Sequence, residues 1–108
     1  MRDSLRRVPK QILLFGGVPV GVLSYERRDD SSVYLGCLCI VPEMQGRGLG
    51  TRAFAHMLEE CPEAHRFELV TPADKVQNTV FYIRKCGCRI TGYGQGDNVT
   101  VALLTLTR

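Results

Sequence analysis

Leu35-Gly36-Cys37-Leu38-Cys39-Ile40-Val41 runs into Pro42-Glu43-Met44-Gln45-Gly46-Arg47-Gly48-Leu49-Gly50-Thr51, and the fold of this 108-residue chain is read from that junction. The first part is apolar on both faces, as expected of a strand in the middle of a sheet. The second carries three glycines at alternate positions with little side-chain bulk between them. A helical pattern follows, with Leu49, Ala53, Phe54, Met57, Leu58 and Cys61 on one face. A strand that turns tightly into a helix start presents backbone N–H groups at the positive end of a helix dipole. That is an anion site, best suited to a phosphate or pyrophosphate.

Before this junction, Gln11–Phe15 and Val18–Glu26 read as strands joined at Gly16-Gly17, a two-residue turn that favours positive φ. Val20, Val22 and Ser24 fall on one face of the second strand, with Gly21, Leu23 and Tyr25 on the other. A polar turn, Arg27–Ser31, leads to the strand Ser32–Val41, so the first three strands make an antiparallel meander. After the junction, the helix Gly48–Cys61 is stopped by Pro62. Arg66–Thr71 is the next strand. Strand, helix, strand in that order implies a parallel pair with a right-handed crossover. A second helix covers Lys75–Cys86, with Val76, Val80 and Ile83 as its expected buried stripe and Gly87 at the left-handed C′ position. Cys88–Tyr93, a turn at Gly94–Asn98 and Val99–Leu106 complete the chain. The expected fold class is therefore α+β: one domain over residues 1–108, with a mixed, mainly antiparallel sheet of about six strands and two helices, in the order β-β-β-α-β-α-β-β.

Composition is that of an ordinary globular domain, 44% hydrophobic and 23% charged. No apolar run approaches the ~18 residues of a membrane span. Met1–Arg7 has no apolar core for a signal peptide, so a cytoplasmic protein without membrane attachment is expected. A net charge of +3 is too small to argue for nucleic acid, although an anionic ligand suits it. The basic cluster Arg2, Arg6, Arg7 and Lys10 reads as a solvated face, with no interleaved aromatics of the kind a single-strand binder uses. Five cysteines, an odd number, argue against a closed disulfide framework. The Cys37-x-Cys39 and Cys86-x-Cys88 pairs lack the usual zinc spacing, so no metal is expected and all five read as small buried hydrophobes.

The glycine loop is not a P-loop, because no Gly-Lys-Ser/Thr follows it. It is not the dinucleotide fingerprint either, since no acidic residue ends a second strand ~20 residues on. Gln45-Gly46-Arg47-Gly48-Leu49-Gly50 instead resembles the Gln/Arg-x-x-Gly-x-Gly/Ala motif with which the GCN5-related N-acetyltransferase (GNAT) superfamily binds acetyl-CoA. Val41-Pro42-Glu43 is similar to the strand end that precedes the family's loop. Asn78-Thr79-Val80-Phe81-Tyr82-Ile83-Arg84-Lys85-Cys86-Gly87-Cys88 resembles the family's Asn-x-x-Phe-Tyr-x-x-x-Gly-Phe segment. The resemblance covers roughly Gln11 to Leu106, and the order of the two motifs agrees as well.

Several expectations follow from that resemblance. Amides from Gly46 to Thr51, with Gly48, Leu49 and Gly50 between, would hold the pyrophosphate, with Arg47 and Arg52 adding charge. Backbone of Leu38, Cys39 and Ile40 would pair with the pantetheine arm as an added strand. An N–H near Ile40 would polarise the thioester carbonyl. A primary amine, from a small molecule or a peptide, would attack directly, and Tyr82 would protonate the leaving thiolate. Spacing alone makes Tyr82 a residue packed at the edge of the core. Asn78 would bind pantetheine, cap the helix or face water; relatives carry their pantetheine asparagine one helical turn earlier, where Lys75 stands here. Glu68 and Glu26 are the carboxylates weighed as a general base. His56 and His65 read as surface residues, and Cys39 as a buried thiol rather than a nucleophile.

The family usually opens with a further strand and one or two helices, for which Met1–Lys10 leaves no room, so the expectation is an N-terminally truncated domain: a fragment, a naturally short member, or one completed by a partner subunit. Loss of that strand would expose a sheet edge and favour a homodimer. The leading activity is acetyl-CoA-dependent N-acetylation, an acyltransferase reaction. The alternative is a non-catalytic acyl-CoA-binding regulatory module of the same fold, and a weaker third is another nucleotide on the same loop.

Overall fold

The computed structural model describes residues 10–108 apart from Asp97. Arg2, Arg6 and Arg7 of the basic cluster, and Asp97 of the last turn, lie outside the described residues. In chain order the elements are β1 (Lys10–Phe15), β2 (Val18–Arg27), β3 (Ser32–Ile40), a 3-10 turn at Pro42–Met44, α1 (Leu49–Glu60), β4 (Arg66–Pro72), α2 (Val76–Arg84), β5 (Arg89–Gly96) and β6 (Val99–Thr107). The mixed, mainly antiparallel six-stranded sheet and its two helices agree with the sequence reading. Strand order is β1-β2-β3-β4-β6-β5. The β3–β4 pair is parallel and the other pairs are antiparallel. β6 folds back into the sheet between β4 and β5, an insertion that local periodicity does not announce.

Gly16 and Gly17 take φ of 61° and 82° in the β1–β2 turn, as a two-residue hairpin requires. Gly21 has a different reason to be glycine: a Cβ there would collide with the Cys39 carbonyl on β3. The last strand pair extends further than expected. Gly94, Gln95 and Gly96 continue β5 opposite Val101, Thr100 and Val99, and Asn98 takes the left-handed turn position with φ 62°.

Both helices cover the same face of the sheet. Phe54 and Met57 of α1 and Tyr82 of α2 share a core with Leu23, Val33, Leu35, Phe67, Leu69 and Leu104 from four strands. Alternation along β4 puts Phe67, Leu69 and Thr71 inward and Arg66 and Val70 outward. α1 is anchored at its C-terminal end by two arginines. The Arg108 guanidinium donates to the carbonyls of Ala64 (3.0 Å), Leu58 (3.2 Å) and Cys61, and Arg27 donates to the Glu60 carbonyl at 2.7 Å. Cations on the last carbonyls complement the helix dipole and satisfy groups the helix leaves unpaired.

The expected buried stripe of α2 is wrong. Val76, Val80 and Ile83 are 63%, 42% and 40% exposed, while Tyr82 is 9% exposed. The helix is rolled so that Phe81 and Tyr82 face inward and the aliphatic stripe faces out. Aromatic rings bury far more area than valines. Here they also meet α1, with Tyr82 and Phe54 ring centroids 6.2 Å apart and Phe81 and Tyr82 5.0 Å apart, edge to face.

Candidate functional site

The parallel strands β3 and β4 pair only at Ser32–Arg66, Val33–Phe67 and Tyr34–Glu68. Beyond that they part. On its other side β3 is paired with β2 from Val33 to Ile40, but the register passes from Tyr25–Leu35 to Ser24–Cys37 and leaves Gly36 as an extra residue. An extra residue in one strand bends it and tightens its twist. The bend carries Leu35–Ile40 away from β4 and opens a cleft of ≈ 780 Å³ at the carboxyl ends of the two parallel strands. The Val41 N–H donates to the Val20 carbonyl at 2.8 Å. Successive residues of a strand turn their peptide groups to opposite sides, so the backbone groups of Leu38 and Ile40 face the cleft.

Leu38, Cys39, Ile40, Gln45, Gly46, Gly48, Leu49, Gly50, Thr51, Asn78 and Tyr82 all line this cleft, whereas Arg47 does not. The three loop glycines serve two purposes. Gly46 and Gly48 have φ of 84° and 78°, with nothing within 4 Å of a built Cβ, so their need is conformational. An L-residue there costs roughly 1–2 kcal/mol. Gly50 is helical, and a Cβ on it would stand 3.1 Å from Phe81 Cζ, so its need is the close approach of α1 to α2. Gln45 folds back, its Nε2 donating to the Ile40 carbonyl at 2.9 Å. Its amide therefore fastens the loop to β3. Gly48 is the N-cap of α1; no side chain caps that end, and its first turn has no acidic residue. The first N–H groups of the helix open at the cleft mouth, as an anion site requires.

Tyr82 lies deep in the cleft. Burial is the main reason its phenol is held well above the usual tyrosine range, and the fields of Cys86, Cys88, Cys39 and Cys37 add to it. The hydroxyl is thus protonated at neutral pH and able to donate. Asn78 does not cap α2, whose N-cap is Lys75. Its Nδ2 donates instead to Thr71 Oγ1 at 3.3 Å, a link from α2 to the end of β4 across the cleft floor. Neither Glu26 nor Glu68 is among the cleft-lining residues. Glu68 accepts from Arg28 (3.1 Å) and pairs with Arg66 (3.0 Å), and Arg66 also reaches Asp30 (3.0 Å). That network ties the β2–β3 turn to β4 at the closed end of the pair. His56 and His65 are exposed, as expected.

A family model described as Acetyltransferase (GNAT) family matches residues 4–88. The chain belongs to that family. Solved structures share the fold. An acetyltransferase from Bacillus subtilis in complex with CoA has a TM-score of 0.83 at 18% identity, over 98% of this chain and 80% of its own. An IAA acetyltransferase from Bacillus cereus has a TM-score of 0.79 at 19% identity, over 92% and 77%. A GNAT family acetyltransferase from Elizabethkingia anophelis with acetyl-CoA bound has a TM-score of 0.80 at 14% identity, over 92% and 75%. Among curated protein sequences no significant match is found. No helix among the described residues is long and apolar enough to cross a membrane.

Several features of this GNAT cleft escaped the sequence reading. Thr71, Gln77, Phe81 and Lys85 line it as well. Gln77, Asn78, Phe81 and Lys85 recur at helical spacing and mark a polar and aromatic face, the signal that the aliphatic stripe obscured. Thr71 could have been found from its place at the carboxyl end of a strand parallel to β3, where ligands of such sheets bind. The thiols also depart from expectation. Cys61 and Cys88 are buried, but Cys37 and Cys86 are half-buried and Cys39 exposed; on β3, Leu38 takes the core-facing position and alternation puts Cys37 and Cys39 on the opposite side.

Proposed function

We propose that this chain is a cytoplasmic N-acetyltransferase that moves an acetyl group from acetyl-CoA to a primary amine in a ternary complex. The observation that carries this is a single continuous cleft. It has an uncapped helix N-terminus at its mouth, free strand backbone along one wall and a buried, protonated tyrosine inside. In this reading the amides of Gly46 to Thr51 bind pyrophosphate, the backbone of Leu38 and Ile40, on either side of Cys39, pairs with pantetheine, and Arg47 and Arg52 supply outer charge. Asn78 serves the pantetheine wall, held in place by Thr71. The amine nitrogen attacks the thioester carbonyl, and the developing oxyanion accepts from the Ile40 N–H. Collapse breaks the C–S bond, and the Tyr82 hydroxyl gives its proton to the departing thiolate. The phenolate recovers a proton from the new ammonium through water. No carboxylate or imidazole is among the described residues that line the cleft, so the amine enters neutral and water carries its proton.

Titration calorimetry with acetyl-CoA and a free-thiol release assay over an amine panel test this together. Binding with turnover is expected. Tyr82→Phe should lower kcat ~10²–10⁴-fold and leave acetyl-CoA affinity in place. Binding without turnover would mark a regulatory module, and no binding at millimolar acetyl-CoA would end both. β1 is an edge strand among the described residues, with Ile12 and Leu14 61% and 63% exposed, which supports a homodimer built by edge pairing. Light scattering at micromolar concentration should give twice the monomer mass; a monomer would refute it.

A further inference from the structure

Cys37 and Cys39 have no task in acetyl transfer, yet their sulfurs stand together. They sit two apart on β3, hence on one face, with Sγ atoms 3.5 Å from each other, and both line the cleft. Positions two apart on a strand are separated by roughly 6.6–6.8 Å, at the upper end of the Cα distances a disulfide spans. From the pair's spacing and its access to the cleft, we infer that Cys37 and Cys39 are a thiol modification site. It reacts with low-molecular-weight disulfides and closes into a reversible Cys37–Cys39 bridge.

The steps balance. The Cys39 thiolate attacks one sulfur of the disulfide RSSR, forming a mixed disulfide and releasing RS⁻. Cys37 Sγ then attacks Cys39 Sγ, forming the bridge and releasing the second RS⁻, while the two protein thiols supply the two protons. The reagent is reduced by two electrons and the pair is oxidised by two. Exposure assigns the first step to Cys39, since Cys37 is half-buried. Burial and the hydrogen bond with Cys39 push the Cys37 thiol up, which makes Cys37 the poorer nucleophile for that first step. Lys10 lies in the same cross-strand row through Ser24, and its ammonium favours ionisation of Cys37 for the second step. A bridge at the limit of its span is strained, and strained, accessible disulfides are the readily reduced ones. Cys86 and Cys88 make a contrast within the chain. Burial pushes them up to about 12 and about 11, so they ionise little at neutral pH.

Bridging draws in the backbone on both sides of Leu38, whose peptide groups face the cleft. Inhibition of acetyl transfer is therefore the expected consequence, and only that consequence rests on the proposed function. Glutathione disulfide is the probe, followed by alkylation, tryptic digestion and mass spectrometry. Cys37 and Cys39 fall together in peptide 29–47, and Cys86 and Cys88 in peptide 86–89. Peptide 29–47 should become two hydrogens lighter and unalkylated, and dithiothreitol should restore it. Cys37→Ser should stop at a stable glutathione adduct on Cys39, and Cys39→Ser should stay unreacted. A lasting adduct on the wild type, a bridge in peptide 86–89, reaction through Cys37 in Cys39→Ser, or no reaction would each overturn the assignment. Thiol release, measured on the same samples, should be lost on bridging and return with dithiothreitol. Bridging with unchanged turnover would overturn the inhibitory consequence, while a chain that bridges but never binds acetyl-CoA would fault the proposed function alone.

Discussion

The two ends of the β3–β4 pair do opposite things. At the closed end three residue pairs are in register, Val33 and Phe67 fill the core, and the Arg28–Glu68–Arg66–Asp30 network lies across the outer surface. At the open end one extra residue, Gly36, breaks the register, and the freed backbone faces a cleft instead of a neighbour. Stability is concentrated where the strands pair, and chemistry where they do not. Unpaired backbone is costly unless something else satisfies it, so a sheet that parts in its middle has given up ladder hydrogen bonds for a ligand site.

The contrast is open to direct attack. Phe67→Ala at the closed end should destabilise the domain by about 3–5 kcal/mol, read in denaturant unfolding. Tyr82→Phe keeps the ring that packs on Phe54 and Phe81, so its effect should fall on kcat and hardly on the unfolding midpoint. If the two variants exchanged these signatures, the division between the ends would be wrong. Alkaline titration sharpens the open end. Tyr82, Cys86 and Cys88 all have folded values raised above the ordinary ones, by burial first. A raised folded value means the native state holds its proton longer than the unfolded chain. The stability these groups contribute is therefore full below about pH 9, where the thiols begin to ionise in the unfolded chain, and is lost as pH climbs toward 11 and beyond. The unfolding midpoint should fall over that range, and Cys88→Ser should flatten the fall. The smallest effect belongs to Glu68→Gln. Exposed ion pairs are worth about 0–1 kcal/mol, so it should cost no more than that. It should leave kcat within about twofold, far from the ~10²-fold or larger loss that removing a general base causes.

Much of this was legible in the chain because its signals are local. Gly16-Gly17 and Gly46-x-Gly48 name positions where φ is positive, and the apolar runs are long enough to set strand from helix. The strand, tight glycine turn and helix start at Leu35–Thr51 followed from that stretch alone. Other features depend on residues far apart in sequence. Gly50 looks like a third loop glycine, but its reason is Phe81. Asn78 looks able to cap its helix, but the cap is Lys75 and the Asn78 amide reaches Thr71 at 3.3 Å instead. Glu68 showed no partner in the sequence because Arg28 and Arg66 are brought to it by the turn and the strand.

What the order of residues settles here is what short-range sterics and periodicity can enforce: the strands, both helices, the loop conformation and the family to which the chain belongs. Which face of α2 turns inward, where β6 inserts, and that β3 bends at Gly36 depend on competition among surfaces that meet only when the sheet is assembled. Aromatic rings outcompeted valines for the space against α1, and one unmatched residue against β2 set how far β3 could follow β4. The cleft is the outcome of that competition, so its walls include residues that no local pattern had marked.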